Sequence, residues 1–280
     1  MKGWSCLITP GNSGRVACAL FVSSLLLAAP SWGGEEVQEG AEASIIPEAP
    51  RSTLVVGERL SYQGRWFGLP VGHGSIEVVG LTELDGRPVY HIEARGSSND
   101  VLSAFYPIRD VIHSYLDAST LRPIRFEKDQ QEGNYRAKEI VTFDQGRSLA
   151  TYRSLLNQST KEVPFPSDAQ DIISAFYWLR THALSLTEST SLPVYSDEKI
   201  YQVEFVPVKT LWMELLKRGT FPCILIEPKA NFKGIFVRRG RVWCYLSTDA
   251  RRIPLLVRLT TPWGPISGVI DSQSLKDARR

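Results

Sequence analysis

The chain has few of the residues from which metal centres and nucleophilic sites are built. Its 280 residues include only four His, four Cys and two Met. A metal site needs clustered ligands, whereas His73, His91 and His113 fall in three different predicted strands, without the close spacing of a ligand pair. Neighbouring strands could bring two of them together, but unligated histidines are the favoured interpretation. We therefore predict no metal and no cofactor.

Recognisable catalytic patterns are also missing. Residues 264–268 (GPISG) only approximate a G-x-S-x-G elbow and no helix follows them, so we interpret them as a turn. The carboxylates of Asp168 and Asp171 are better explained as negative charge at the start of a helix. No Gly-rich phosphate loop links a strand to a helix. The sequence therefore predicts no catalytic residue and a protein that is not an enzyme.

Charge of one sign is not in excess. The sequence holds 32 Lys and Arg against 30 Asp and Glu, a balance too even to indicate a nucleic-acid partner. One local group of arginines lies near two predicted turns, and it comprises Arg238, Arg239, Arg241, Arg251 and Arg252. A solvated loop is the simpler interpretation. Contact with anionic lipid head groups or with an acidic partner is the functional one.

Long apolar runs are limited to the N-terminus. Lys2 and Arg15 precede the run 16–29, which has the length of a signal-peptide h-region and is short for a transmembrane helix. Small residues before Gly34 predict cleavage near Gly33. Residues 1–33 are therefore interpreted as a signal peptide, with an uncleaved membrane anchor as the alternative. The remainder has no second such run, which predicts a soluble protein exported to the periplasm.

The rest of the chain divides by composition. Residues 34–50 hold five Glu and no Lys or Arg, so we predict a disordered acidic tether over 34–51. Residues 52–272 are predicted to form one β-rich domain. The polar tail 273–280 is predicted to fray.

Only two cysteines remain once the signal peptide is removed, Cys223 and Cys244. Two cysteines in an oxidising compartment indicate one disulfide. If 221–228 and 241–247 form a hairpin, its centre puts position 223 opposite 244, at a separation that permits a bond. The alternative is a pair of buried free thiols.

From Leu54 onward the sequence has the pattern of strands separated by turn signals such as Asp85-Gly86. Only 167–184 is clearly helical: Ser167 is a good N-cap, and apolar residues then lie nearly all the way round. A helix of this kind must be covered on most sides. The predicted fold class is mainly β, a curved antiparallel sheet forming an open or partial barrel with one principal helix packed against it.

Aromatic residues are plentiful, with seven Trp in the chain. Trp66, Phe176, Trp178 and Trp212 are candidates to line a groove for an acyl chain or a glycan if the half-barrel is open. In a closed core the same residues would simply pack against one another.

Five segments resemble those of a known group of proteins: 57–62 (GERLSY), 105–110 (FYPIRD), 171–180 (DIISAFYWLR), 219–223 (GTFPC) and 243–264. Asp117 and Pro123 add to this resemblance. In these segments the chain resembles the exported bacterial proteins of the domain-of-unknown-function 3108 family, over roughly residues 52–272. Trp178 stands where a second Tyr would be expected. The resemblance implies a periplasmic, β-rich fold, similar to the open half-barrels that carry lipids or lipoproteins, and it implies no activity.

Two functional hypotheses follow. The first is a non-enzymatic periplasmic protein that binds or carries an apolar ligand, such as a lipid or a lipoprotein acyl chain, between the sheet and the helix. The second is an envelope scaffold or protein-interaction module with a fully packed interior. Either partner would be a lipid or another envelope component, and the sequence does not define an oligomeric state.

Overall fold

The computed structural model describes residues 37–44, 46–51, 54–215, 218–230, 241–262 and 264–277, so the predicted signal peptide lies outside the described residues. The described part contains three helices, α1 (Asp100–Ser103), α2 (Ile172–Thr181) and α3 (Ser272–Asp277). Its strands are β1 (Val37–Glu42), β2 (Arg59–Trp66), β3 (Leu69–Leu84), β4 (Arg87–Ser98), β5 (Ile108–Asp117), β6 (Pro123–Glu132), β7 (Tyr135–Asp144), β8 (Leu149–Ser154), β9 (Thr160–Pro164), β10 (Gln170–Asp171), β11 (Thr190–Ser196), β12 (Lys199–Leu215), β13 (Gly219–Ala230), β14 (Val242–Ser247), β15 (Pro254–Thr261) and β16 (Gly264–Ile270).

All of these strands belong to one curved sheet, which confirms the predicted fold class. Strands β2 to β9 follow one another in chain order, as do β11 to β16, and neighbours within each half are antiparallel. The halves meet where β16 pairs with β2, from Ile266 opposite Trp66 to Ile270 opposite Tyr62. Alternating apolar and polar residues along the strands give each half one buried face.

The sheet remains open between β9 and β10, the two edges of this order. Only residues 165–169 separate these strands in the chain. Side chains from the β11–β12 turn cross toward the other half: Asp197 pairs with Lys128 of β6 at 3.2 Å, and Glu198 pairs with Lys161 of β9 at 3.0 Å. Ion pairs, rather than a ladder of backbone hydrogen bonds, therefore connect the two halves on this side.

Part of the acidic segment predicted to be disordered is a strand. Residues 37–42 form β1, which pairs with 211–215 of β12, whereas β11 pairs with 199–205 of the same strand. The short β11 leaves the far end of β12 uncovered, and β1 supplies the missing hydrogen-bond partners. Composition does not reveal this strand, because its formation depends on one buried residue, Val37, and on pairing with a strand that is distant in the chain.

The helix starts later than predicted. The N-cap is Asp171 rather than Ser167, and Gln170 is part of β10, which pairs in parallel with β11. A capping box with Ser174 fixes the start, because the Asp171 carboxylate accepts the backbone N–H groups of Ile173 and Ser174. No helix in the described part of the chain is long and apolar enough to cross a membrane.

Helix α2 is covered on two flanks. Ile173 and Tyr177, one turn apart, belong to the main hydrophobic core. Ala175 and Leu179, also one turn apart, pack into a second cluster with apolar residues of the neighbouring strands: Leu192, Val194, Phe205, Ile224, Ile226 and Leu246. The helix therefore fills the space inside the curved sheet, as its apolar sequence requires.

Candidate functional site

The N-terminus of α2 is anchored by a buried carboxylate. Asp171 is fully buried, and the Ser114 hydroxyl of β5 donates to its Oδ2 at 2.6 Å. Burial raises the pKa of Asp171, although hydrogen bonds from Ser114 and from the helix amides act to lower it. The carboxylate oxygens that this end of α2 brings inside are thus hydrogen-bonded locally, and the group serves to position the helix.

The other end of α2 is held by a buried ion pair. Arg180 donates from Nη1 and Nη2 to the two carboxylate oxygens of Glu58, at 2.6 and 2.8 Å. Its Nε and Nη2 also reach the backbone carbonyls of Arg252 and Arg251. Burial works to lower the pKa of Arg180, but Glu58 outweighs this and raises it. The pair connects the helix to the approach of β2 and to the β14–β15 loop.

Little free space is left beside this ion pair. The void bordered by Leu54, Tyr177 and Arg180 has a volume of about 20 Å³, which is room for about one water molecule. Tyr62, on the same face of the sheet, donates its hydroxyl to the carbonyl of Pro254 at 3.0 Å. Burial raises the pKa of Tyr62 and of Tyr177 above the ordinary value for a tyrosine. No room for an acyl chain is found at this end of α2.

The four aromatic groove candidates lie in three separate places. Phe176 and Trp178 are half-buried on α2, where Phe176 packs edge-on to Tyr177 and Trp178 stacks on His182. Trp66 ends β2, and its ring lies 5.5 Å from that of Phe67. Trp212 is exposed on β12. The structure therefore does not bring the four together into one groove.

The predicted disulfide is absent, and both thiols are free. The strand register differs from the predicted one by three residues, because Cys223 pairs with Ser247 and Cys244 pairs with Ile226. An odd shift turns the two side chains to opposite faces of the sheet, where no bond can form. Burial raises the pKa of each thiol to about 12, which keeps both protonated and unreactive.

The arginines predicted to form one cluster are separated. Arg238 and Arg239 lie outside the described residues. Arg241 precedes β14, and Arg251 and Arg252 follow it, so the six residues of the strand hold them roughly 20 Å apart. Arg241 pairs with Glu227 at 2.7 Å, and Arg251 pairs with Asp249. Arg252 is buried and donates to the Glu48 carbonyl at 2.9 Å.

A groove of about 560 Å³ crosses β2, β3, β4 and β5. The strand register places most of its side chains on the face opposite α2, because Ser61, Gln63 and Ser75 alternate with core residues such as Leu60 and Ile76. Tyr62 and Asp110 also border the groove, but their side chains belong to the α2 face. Two cross-strand rows supply polar groups: Ser61, Ser75 and Arg95 in one, and Gln63, His73, Ser97 and Arg109 in the other.

The groove is bordered by four arginines and two aspartates. Arg59 pairs with Glu77 at 3.0 Å, and Arg95 donates to both oxygens of Glu93, a contact that lowers the pKa of that glutamate. The remaining charged residues of the lining are Arg109, Arg218, Asp110 and Asp271. The arrangement can receive negatively charged, oxygen-rich groups through guanidinium and hydroxyl donors.

Asp110, on the α2 face of the sheet behind the groove, has a shifted pKa. Burial raises its pKa to about 6, while a hydrogen bond from the Gln131 amide to its Oδ1 at 3.0 Å lowers it and the nearby Glu132 raises it. Below pH 6 the carboxyl is therefore mostly neutral.

Two histidines meet on the same outer face. His91 Nε2 and His113 Nδ1 are 3.0 Å apart, and Tyr115 stacks on the His91 ring. Burial and the neighbouring His113 lower the pKa of His91. Glu93 lies 3.8 Å from His113. Among the described residues, no group of three or more His, Cys, Asp or Glu is placed to hold a metal ion.

Comparison with known proteins gives a family and a fold. The family model described as a protein of unknown function (DUF3108) matches residues 61–271. The chain belongs to the DUF3108 family. Its likeness to solved structures includes the β-barrel-like protein of domain of unknown function DUF1849 from Brucella abortus. The TM-score is 0.51 at 10% identity, with 80% of this chain and 98% of that chain covered. No curated protein matches the chain.

The outer groove of this DUF3108 chain is what sequence reasoning missed. Its arginines and hydroxyl residues come from separate strands, and in sequence each looks like an ordinary exposed strand position. Register alone determines that these positions align.

Proposed function

We propose that this DUF3108 protein is a non-enzymatic binding module of the cell envelope that acts through its outer surface. Its Arg-lined groove on β2–β5 binds an anionic ligand, and the packed interior serves as the scaffold. The observation that carries the proposal is the contrast in free space: about 20 Å³ beside α2 against about 560 Å³ in the groove.

The chemistry of the lining favours phosphate or carboxylate groups. Guanidinium groups bind such oxygens in pairs, and the serine, glutamine and histidine side chains add neutral donors. Among the described residues, the only aromatic one at the groove is Tyr62, whose side chain belongs to the α2 face and whose hydroxyl is bonded to Pro254. Recognition by stacking on a sugar ring is therefore less well supported than recognition by charge.

The strongest single contributor is expected to be Arg109. It is exposed and, within the described residues, is bonded to no carboxylate. A ligand phosphate would not have to displace an existing partner there, as it would at Arg59 or Arg95. Export to the periplasm, which residues 1–33 predict, would bring the groove among the anionic polymers and lipids of the envelope.

Calorimetric titration tests the proposal with two probes, inorganic tripolyphosphate and a tetramer of galacturonic acid. We expect at least one probe to bind, and Arg109→Gln to weaken that binding about fivefold to tenfold at low salt. Arg87→Gln removes an equally exposed arginine at the β3–β4 turn and should leave binding unchanged. Failure of both probes to bind, or equal losses in the two variants, would overturn the assignment of the groove.

A second function is supported by a different observation. Phe176 and Trp178 are only half-buried, and Ile172 at the start of α2 is exposed. An apolar ligand could lie along this flank of the helix, as the carrier hypothesis requires. Mass spectrometry of protein stripped of lipid and re-exposed to envelope extract tests it, since a lipid-free spectrum would exclude this function.

A further inference from the structure

One end of the sheet carries large apolar side chains in open solvent. Phe105 is 85% exposed and Val101 is 74% exposed, both in the connection that contains α1. Phe67 and Leu69, at the β2–β3 turn, are more than half exposed. We call these four residues the apolar rim. Isolated exposed apolar residues are ordinary, but several large ones on adjoining turns mark a contact surface.

Hydrogen bonds hold the rim together. The Asn99 backbone N–H donates to the Val71 carbonyl, and its side chain donates to the Pro70 carbonyl, both at 2.8 Å. These bonds join the α1 connection to the start of β3. Asn99 also caps α1 by accepting from Leu102 at 3.0 Å. These bonds thus hold the two turns that carry the rim together.

Two exposed arginines stand beside it. Arg109 lies at the start of β5, the strand that follows α1, and Arg136 lies at the start of β7, after the β6–β7 turn. This turn is linked to the α1 connection by a 2.8 Å hydrogen bond from the Gly133 N–H to the Pro107 carbonyl. Neither arginine is paired with a carboxylate among the described residues. Apolar tips beside guanidinium groups that lack a carboxylate partner match a surface with an apolar interior and anionic head groups.

We propose that the apolar rim docks the protein on an anionic lipid bilayer. Phe105 and Val101 enter the acyl region, and Arg109 and Arg136 contact lipid phosphates. These side chains protrude from separate turns at the end of the sheet. They can therefore insert into a fluid lipid layer, whereas a protein partner would need a preformed groove to receive them. This site is separate from the interior, but it shares Arg109 with the outer groove, so its test substitutes only the apolar residues.

Vesicle sedimentation tests the proposal with the protein as purified from cells. Vesicles of phosphatidylglycerol and phosphatidylethanolamine are compared with vesicles of phosphatidylcholine alone. We expect tighter binding to the anionic vesicles, and a loss of about tenfold or more in the Phe105→Ser/Val101→Ser variant. Leu81→Ser is the control, because Leu81 is 58% exposed on β3 but lies outside the rim.

The comparison isolates the rim, since any N-terminal apolar segment is common to all variants. Equal sedimentation of wild type and the double variant would overturn the proposal. So would a wild type that stays in the supernatant with both vesicles, and the rim would then be assigned to a protein contact. Circular dichroism confirms that each variant is folded before it is tested.

Discussion

The two faces of the sheet differ in how their polar groups are used. On the α2 face, Asp171 is bonded to Ser114, and Arg180 is bonded to Glu58, so both of these buried charged groups have partners within the protein. On the groove face, Arg109 has no carboxylate partner among the described residues. Matched charges in a filled interior hold the fold in place, whereas unmatched charge beside free space is available to a ligand. We therefore relate stability to one face and the proposed binding to the other.

The Arg180–Glu58 pair gives the largest expected effect on the interior. Arg180→Met leaves the Glu58 carboxylate without its partner, and breaking a buried pair costs about 3–5 kcal/mol. Urea unfolding measures the loss. The double variant Arg180→Met/Glu58→Leu should recover part of it, because no charge is then left unpaired. A loss under about 1 kcal/mol in the single variant would show that the pair does not hold the helix.

The cap of α2 gives an intermediate effect. Asp171→Ala removes the acceptor of two helix amides and leaves the Ser114 hydroxyl without its partner, so we expect a loss of about 2 kcal/mol in unfolding free energy. Asp171→Asn should retain most of the stability, because Asn is also a good N-cap. Equal losses in the two variants would contradict the capping role.

Helix α2 also shows how far the sequence could predict this fold. The presence of the helix and its need for cover follow from local apolar content, and alternation predicts the strands. The predicted start of the helix was wrong because the N-cap, Asp171, is held by a hydrogen bond from Ser114, 57 residues earlier in the chain. The predicted disulfide was wrong because the sequence does not define the register between β13 and β14. A three-residue error in that register places the two cysteine side chains on opposite faces of the sheet.

The smallest expected effect on stability comes from Asp110, on the α2 face of the sheet behind the groove. The pKa of Asp110 is raised from 3.8 to about 6 on folding. The stability supplied by its protonation is therefore present below pH 4 and is lost as the pH rises through 6. After allowance for solvent screening, Asp110→Asn should gain about 1 kcal/mol at pH 7.5. Thermal melts at pH 4 and pH 7.5 check this, and an equal gain at both values would rule out the titration of Asp110 as its cause.

The separation of binding from packing is tested most directly by amide NMR of ¹⁵N-labelled protein titrated first with tripolyphosphate and then with palmitate. Our expectation is that tripolyphosphate shifts the amide resonances around Arg95, Arg109 and Ser75, and that neither probe shifts the amide resonances of α2 from Ile173 to Arg180. Shifts along α2 with palmitate, and none in the groove with tripolyphosphate, would contradict it and would place the ligand between helix and sheet.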